Sequence, residues 1–368
     1  MSNRASCKTT TPKKINARWA RFSLLKLAQY LTLFLLHATG GALFAAADTK
    51  TPLEPASSIR NQSVNPILTH AADLWIRGDL LLWQMSEDNL INCYVINSDL
   101  TLPHRDFRNI HFDWDFGCRV GAGYTFPHDG WDTALFFTHY ATAGKSSVKN
   151  EGGDHIPSPA WGPADVNSTT LELDHSKADF HFDLNQIDFG LGRSYYISKY
   201  FTLRPNFGLR STWIHQKLHF DYENTDPDLS VKGVLKNAFW GFGFTLGLAA
   251  DWKFTKHWSL YGETDYAILL GQFDLDQTGE RVEMPHWKQK KIFDSGKGIL
   301  DISAGFKYLV LFAKDRLAWT FRAGYEYHLY FNQNQFLISN GSNSFENFNT
   351  IKGNLAFQGV MLSGQFDF

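Results

Sequence analysis

Long apolar runs are the first thing missing from this chain. Past residue 47 no stretch is both long and apolar enough for a spanning helix, and the mean hydropathy is −0.28. If the protein sits in a membrane, it must cross as strands. Net charge is nearly absent too: a formal −2 over 368 residues gives no electrostatic reason to expect nucleic acid as a partner. Cysteine is scarce, at Cys7, Cys93 and Cys118, and no spacing resembles a zinc site. With Cys7 in a leader that is removed, the other two are expected to be free or intermolecularly paired thiols rather than a structural disulfide. No motif calls for a cofactor, and none is expected.

Aromatics, by contrast, are plentiful. They make up 15% of the chain, with 31 Phe, 14 Tyr and 12 Trp, more than a soluble core needs. Membrane barrels place such rings at both interfaces. The amino terminus reads as a targeting segment: a basic region from Arg4 to Lys26, a short apolar run over 27–36, and the small residues Ala45, Ala46 and Ala47. The expected result is export, with a signal peptide over 1–47 cleaved after Ala47; the alternative is an uncleaved anchor helix. Residues 48–72 read as a polar, proline-bearing periplasmic leader.

From residue 73 onward the apolar period is two. Over 110–126, Ile110, Phe112, Trp114, Phe116, Cys118, Val120, Ala122, Tyr124 and Phe126 share one parity, against His111, Asp113, Asp115, Arg119 and several glycines. The same alternation recurs over 238–254 and 317–331, which leaves little room for helix. Between Phe182 and Phe189 the apolar parity switches, which predicts a bulge near Asn185 or Gln186. The chain ends on Phe368, with Phe366, Gly364, Leu362 and Val360 at every second position. A terminal aromatic in register with such a stripe resembles the assembly signal of outer-membrane barrels, although an amphipathic strand of a soluble sandwich has the same alternation.

Connection lengths favour the barrel. Short links at 127–130, 197–200, 255–257 and 313–315 alternate with long polar ones around 98–109, 143–177, 222–235, 274–296 and 332–350, as tight periplasmic turns alternate with external loops. The expectation is therefore an all-β, transmembrane, antiparallel up-and-down barrel over 73–368, of about ten strands with both termini periplasmic. Residues 73–97 count as one strand; a hairpin at 86–89 plus a strand in 168–174 would make twelve. In lipid the sheet must close, because an open edge leaves amides unpaired in hydrocarbon.

The stretches LWIRGDLLLW, FGCRVGAGYTF followed by DGWD, IDFGLGR and LRPNFGLRSTWIHQ, with the terminal Phe, resemble the major-outer-membrane-protein-like, pore-forming proteins of Legionella and chlamydia-related bacteria. The resemblance covers most of 73–368. It implies a porin-like protein of the outer membrane and carries over no catalytic residue.

Several groupings bear on chemistry. Gly241, Gly243 and Gly247 have the wrong spacing for a dinucleotide loop and read as small lumen residues. Asp174, His175, Asp179, His181 and Asp183, set against residues 111–115, could activate water as omptin-like barrel proteases do, provided the carboxylates face each other across the mouth. Ser303 or Ser211 with a histidine is no better than chance as a lipase set. The protein is therefore not expected to be an enzyme. The lumen is expected to be lined by Asp113, Asp115, Arg119, Arg204, Arg210, Asp251, Lys253, Glu263, Asp265, Asp301, Lys307, Arg322 and Glu326. So many charges must line water or interlock.

Ten or twelve strands fall between a filled barrel and a wide channel. A narrow, weakly selective pore for passive diffusion of small polar solutes follows, with the loop over 143–177 as its constriction. The alternatives are a structural or adhesin barrel with a plugged lumen, whose 332–349 segment contacts a host surface, and the protease. Outer-membrane lipid, lipopolysaccharide and the barrel assembly machinery are the expected partners; oligomeric state stays open.

Overall fold

The computed structural model describes residues 74–97, 104–126, 130–150, 155–162, 172–226, 230–281, 287–313, 316–339 and 348–368. The targeting segment, its cleavage point and the leader lie outside the described residues, as do residues 163–171 and 340–347. Ten strands form the wall: β1 (Leu74–Glu87), β2 (Trp114–Thr125), β3 (Trp131–Lys149), β4 (His175–Arg193), β5 (Phe201–Glu223), β6 (Val231–Lys253), β7 (Trp258–Arg281), β8 (Trp287–Phe312), β9 (Leu317–Asn334) and β10 (Gly353–Asp367). Each pairs antiparallel with its successor, and β1 pairs with β10, so the sheet closes. Closure leaves no edge to satisfy. The seam runs from Trp75 opposite Asp367 to Glu87 opposite Leu355, and reciprocal bonds between Leu74 and Phe368 fasten its last step.

Both ends of the wall lie on the side of the short turns. One of these turns forces its residue choice: Gly130 has φ 67°, which a side chain rarely tolerates, and it lets Phe126 N bond Trp131 O at 2.7 Å. At the opposite end, the loop end, the strands run further than the apolar stripe alone predicts. β8 begins at Trp287 and β7 ends at Arg281, inside the stretch expected to be loop.

The expected first strand divides. Asn89, at φ 62°, turns the chain after β1, and Ile91–Asn97 leaves the wall to form a separate sheet between His104–Asn109 and His155–Pro159. No hairpin forms at 86–89: the chain turns at 88–89, but Ile91–Asn97 does not pair with β1 and joins this cap instead, so the barrel keeps ten strands. A further pair, Leu337–Ser339 with Phe348–Thr350, also lies outside the wall.

The outward face carries the rings. Trp114, Phe244 and Phe321 are 45%, 74% and 49% exposed, whereas Arg210 is 7% exposed. Val360 and Leu362 of the terminal stripe face outward, and the Phe366 ring packs at a tilt against Trp319 and Phe368 at 5.2 and 5.6 Å. An apolar band outside and charge inside is the polarity of a membrane barrel.

Two parity expectations need correction. No bulge occurs at Asn185 or Gln186: β4 keeps an unbroken register with β3 and β5 through both. Phe180, Phe182 and Leu184 simply point inward while Ile187 and Phe189 point outward, because the interior itself turns apolar above Gln186. The real break falls at Asp113. Ile110 and Phe112 are buried whereas Trp114 and Phe116 are exposed, since a short strand, His111–Phe112, pairs with β3 before β2 begins.

Candidate functional site: the barrel lumen

Inward residues of the turn-end half are mostly polar, with Trp75, Ala134, Phe136 and Ala249 among them. They come from the same positions whose outward neighbours are rings, so strand alternation alone aims them into the lumen. They line a cavity of about 270 Å³. Its wall includes seven carboxylates and six Lys or Arg side chains, together with His328, so the two signs nearly cancel.

Most of these charges are paired between strands rather than along one. One chain of contacts begins on β1, where Arg77 Nε donates to Asp79 at 2.7 Å. Arg119 on β2 donates to Asp79 at 3.3 Å and to both oxygens of Glu326 on β9 at 3.0 and 3.2 Å. His328 lies 3.4 Å from Glu326 and 2.7 Å from Asp301 on β8. Arg210 on β5 closes the chain, donating to Asp301 at 2.6 Å and to Asp188 on β4 at 2.5 Å. Nearer the turns, three further pairs each span a skipped strand: Arg204 with Asp132, Lys307 with Asp251 at 2.7 Å, and Arg322 with Glu263 at 2.8 Å. Bidentate guanidinium contacts such as Arg119 with Glu326 fix geometry as well as charge.

Glycine makes room for this layer. A Cβ on Gly192 would strike the Arg204 guanidinium, and one on Gly247 would strike the Asp265 carboxylate. Among the described residues Asp265 has no ion-pair partner. Such a group is tolerable where water or a polar neighbour reaches it, and Asp265 is partly exposed with Asn206 beside it. The paired Asp188 and Glu263 also keep 23% and 31% side-chain exposure.

Toward the loop end the bore fills with rings. Trp83 from β1, Tyr140 from β3, Phe182 from β4, Tyr330 from β9 and Phe357 from β10 are each at most 3% exposed. Phe357 is the hub, at 5.9 Å from Trp83, 5.4 Å from Tyr140, 5.3 Å from Phe182 and 5.7 Å from Tyr330. The two phenols are satisfied: Tyr140 donates to Trp83 O at 3.0 Å and Tyr330 to Gln186 Oε1 at 2.8 Å. Leu81, Leu184, Ile214, Leu269, Ile299 and Met361 complete the fill. Above them sits the cap. Trp161 Nε1 donates to Ile91 O at 2.5 Å, the Tyr222 hydroxyl donates to Asn92 O at 2.7 Å, and Trp161 packs on Phe336 at 5.8 Å.

Of the residues expected from sequence to line the lumen, Arg119, Arg204, Arg210, Asp251, Glu263, Asp265, Asp301, Lys307, Arg322 and Glu326 line the cavity. Lys253 sits at a smaller depression beside the turn over 255–257. Asp113 and Asp115 do not line the cavity. Asp113 is exposed at the parity break, and Asp115 lies opposite Trp83 at the plug level, accepting from Thr142 at 2.5 Å. Arg77, Asp132 and Asp188 also belong to the wall. They stand in the same alternation as the other wall residues, so the period of two is the signal that marks them.

Of the segment over 143–177, much is strand, and its described remainder, with Ala160, Trp161 and Leu173 buried, packs above a plug made of strand residues; 151–154 and 163–171 lie outside the described residues. Asp179, His181 and Asp183 point to the outer wall, so they do not face the carboxylates of 111–115 across the mouth. The Asn-rich segment starts buried, with Gln333, Asn334, Gln335 and Phe336 at or below 6% exposure; its 340–347 portion lies outside the described residues. Among the described residues both cysteines are free, Cys93 buried in the cap and Cys118 on the outer wall. Among the described residues no group of His, Cys, Asp or Glu could hold a metal ion.

The sequence profile of the family described as "Legionella pneumophila major outer membrane protein precursor" matches residues 65–368. No curated protein matches the chain. Among solved structures, the toluene transporter TodX of P. putida aligns at 10% identity and TM-score 0.34, over 83% of this chain and 93% of that one. TbuX, the toluene transporter of Ralstonia pickettii, aligns at 12% and 0.32, over 80% and 89%. Ail, the attachment invasion locus protein of Yersinia pestis, aligns at 11% and 0.24, over 80% and 99%. At these values neither a ligand nor an activity carries across.

Proposed function

The chain belongs to the Legionella major outer membrane protein family and is an outer-membrane β-barrel; from that premise we propose that it is a diffusion channel for small polar solutes, closed on its loop side by the aromatic plug. The observation that carries this reading is the ion-paired, partly exposed chamber in the turn-end half. A barrel kept only as a scaffold gains nothing from leaving Asp265 unpaired beside a cavity. In this reading export removes residues 1–47, Phe368 serves the assembly machinery, the turn end faces the periplasm and no reaction is performed. Solutes enter the chamber freely and cross when rings of the plug and the cap above them shift. With the two charge signs nearly balanced, ion preference is weak.

The plug also favours a second reading, a permanently shut structural or adhesive barrel, because five rings with almost no exposed surface leave no passage. Planar-bilayer recording separates the two. The channel reading expects rare, small steps from the refolded protein and frequent, larger ones after Trp83→Ala with Phe357→Ala. Silence from both proteins would leave the structural reading standing.

A further inference from the structure

Above the apolar band the outer wall changes from rings to charge, and it does so on one side of the barrel. On β5 the outward series passes from Phe207 and Trp213 to His215, Lys217 and His219; on β6 it passes from Trp240 to Lys236. Lys217 stands directly opposite Lys236 across β5 and β6, and directly opposite His181 across β4 and β5. Both lysines are exposed. Neither has an ion-pair partner among the described residues, and the neighbouring carboxylates are engaged elsewhere. Asp179 pairs with Lys145 at 3.7 Å and Asp221 with Lys232 at 3.0 Å. Asp276, the register partner of Lys236 on β7, pairs with Lys288 at 3.9 Å. At the same height across the barrel, β1 and β10 present Gln84, Ser86, Gln358 and Ala356, with no charge.

Like charges directly opposite each other destabilise a sheet. Their side chains leave backbones roughly 5 Å apart, so two ammonium groups can converge on one anion between them. Beyond the pair, the outer wall holds a hollow of about 880 Å³, lined by Lys145, Lys177, His181, His219, Lys232 and Lys288, with Asp179, Asp221 and Glu280 among its other walls. Below the pair lie the rings of Trp213, Trp240 and Phe242. Lysine at headgroup level over an apolar band suits a lipid with a charged head.

We propose that this face of β4 to β6 docks the phosphorylated headgroup of a glycolipid in the leaflet at the loop end. The phosphate lies between Lys217 and Lys236, the sugars occupy the hollow, and the acyl chains lie along the ring band. The site is independent of whether the lumen conducts.

The test uses the full refolded chain in neutral micelles, titrated with a bisphosphorylated disaccharide lipid, with its dephosphorylated form and with inorganic phosphate. Binding is read from tryptophan fluorescence and from the unfolding temperature. The phosphorylated lipid should bind and raise the unfolding temperature, and the double variant Lys217→Gln with Lys236→Gln should bind it about 30-fold more weakly. Lys352→Gln, away from the cluster, should bind as the parent does. Because the facing lysines repel, the double variant should unfold at a higher temperature than the parent in lipid-free micelles and at a lower one once the lipid is present. A variant that is stabilised under both conditions, equal affinity for the dephosphorylated lipid, or displacement of the lipid by inorganic phosphate at equal concentration overturns the proposal.

Discussion

The two halves of the lumen are built from the same strands yet solve opposite problems. Along β1 the inward series reads Trp75, Arg77, Asp79, then Leu81, Trp83, Met85; along β10 it reads Asp367, Gln365, Ser363, then Met361, Gly359, Phe357, Leu355. In the turn-end half, charges meet between strands; Asp188 and Glu263 keep 23% and 31% side-chain exposure, while Asp79 and Glu326 are buried within their pairs. In the loop-end half, rings meet across the bore and keep almost none. A ten-stranded bore is narrow enough for side chains to touch from opposite walls, so the chemistry of those side chains decides whether a given level holds water. On β3 to β8 the outer wall shows the mirror image: rings where the inside is charged, and Lys, His and Asp where the inside is apolar. One barrel thus joins a membrane segment to a water-exposed segment packed like an ordinary soluble sheet.

The hub of the plug offers the sharpest way to break that contrast. Phe357→Ala should cost about 3–5 kcal/mol, as for large core deletions, seen as a lower urea midpoint in micelles, because four rings lose their common neighbour. Next comes Arg210→Met, which strands Asp188 and Asp301. A broken buried pair of this kind costs about 3 kcal/mol, and replacing Arg210, Asp188 and Asp301 together by apolar residues of similar volume should recover most of it. The same urea titration reports both, and a triple variant no better than the single one would mean the chamber wall matters for more than charge pairing.

On the outer band, Phe244→Arg should cost about 2–3 kcal/mol in a bilayer, whereas Phe244→Ala should cost less than half of that. The smallest effects belong to the cap and rim. Cys93 is buried among cap residues, and that burial pushes its thiol above the ordinary range. It should therefore resist alkylation near neutral pH until the protein unfolds. Lys145→Gln should leave stability unchanged, since its contact with Asp179 is an exposed pair at 3.7 Å.

Much of this architecture was readable from alternation and connection length. Closure, the ten-strand wall and the outward stripe of Phe366, Leu362 and Val360 all follow from a period of two interrupted by alternating short and long links. What alternation hid was height. A polar-in rule holds for Arg204 and Arg210 but reverses by Leu218 and Phe220 on the same strand, where the outside meets water. Taking one rule for the whole length turned Phe182 beside Phe189 into a supposed bulge, and concealed the true break at Asp113. Nor could any local pattern reveal that Trp83, Tyr140, Phe182, Tyr330 and Phe357 converge, because their contacts join distant strands.

Thiol labelling from the turn end tests the division of the lumen most directly. With Cys7, Cys93 and Cys118 changed to Ser, single substitutions Ser303→Cys in the chamber wall and Leu269→Cys in the plug are exposed to a charged, water-soluble maleimide. Rapid modification of the first and none of the second until denaturant is added is the predicted result. Equal rates at both positions would mean that water fills the bore from end to end, and a dry plug above a wet chamber would no longer describe this barrel.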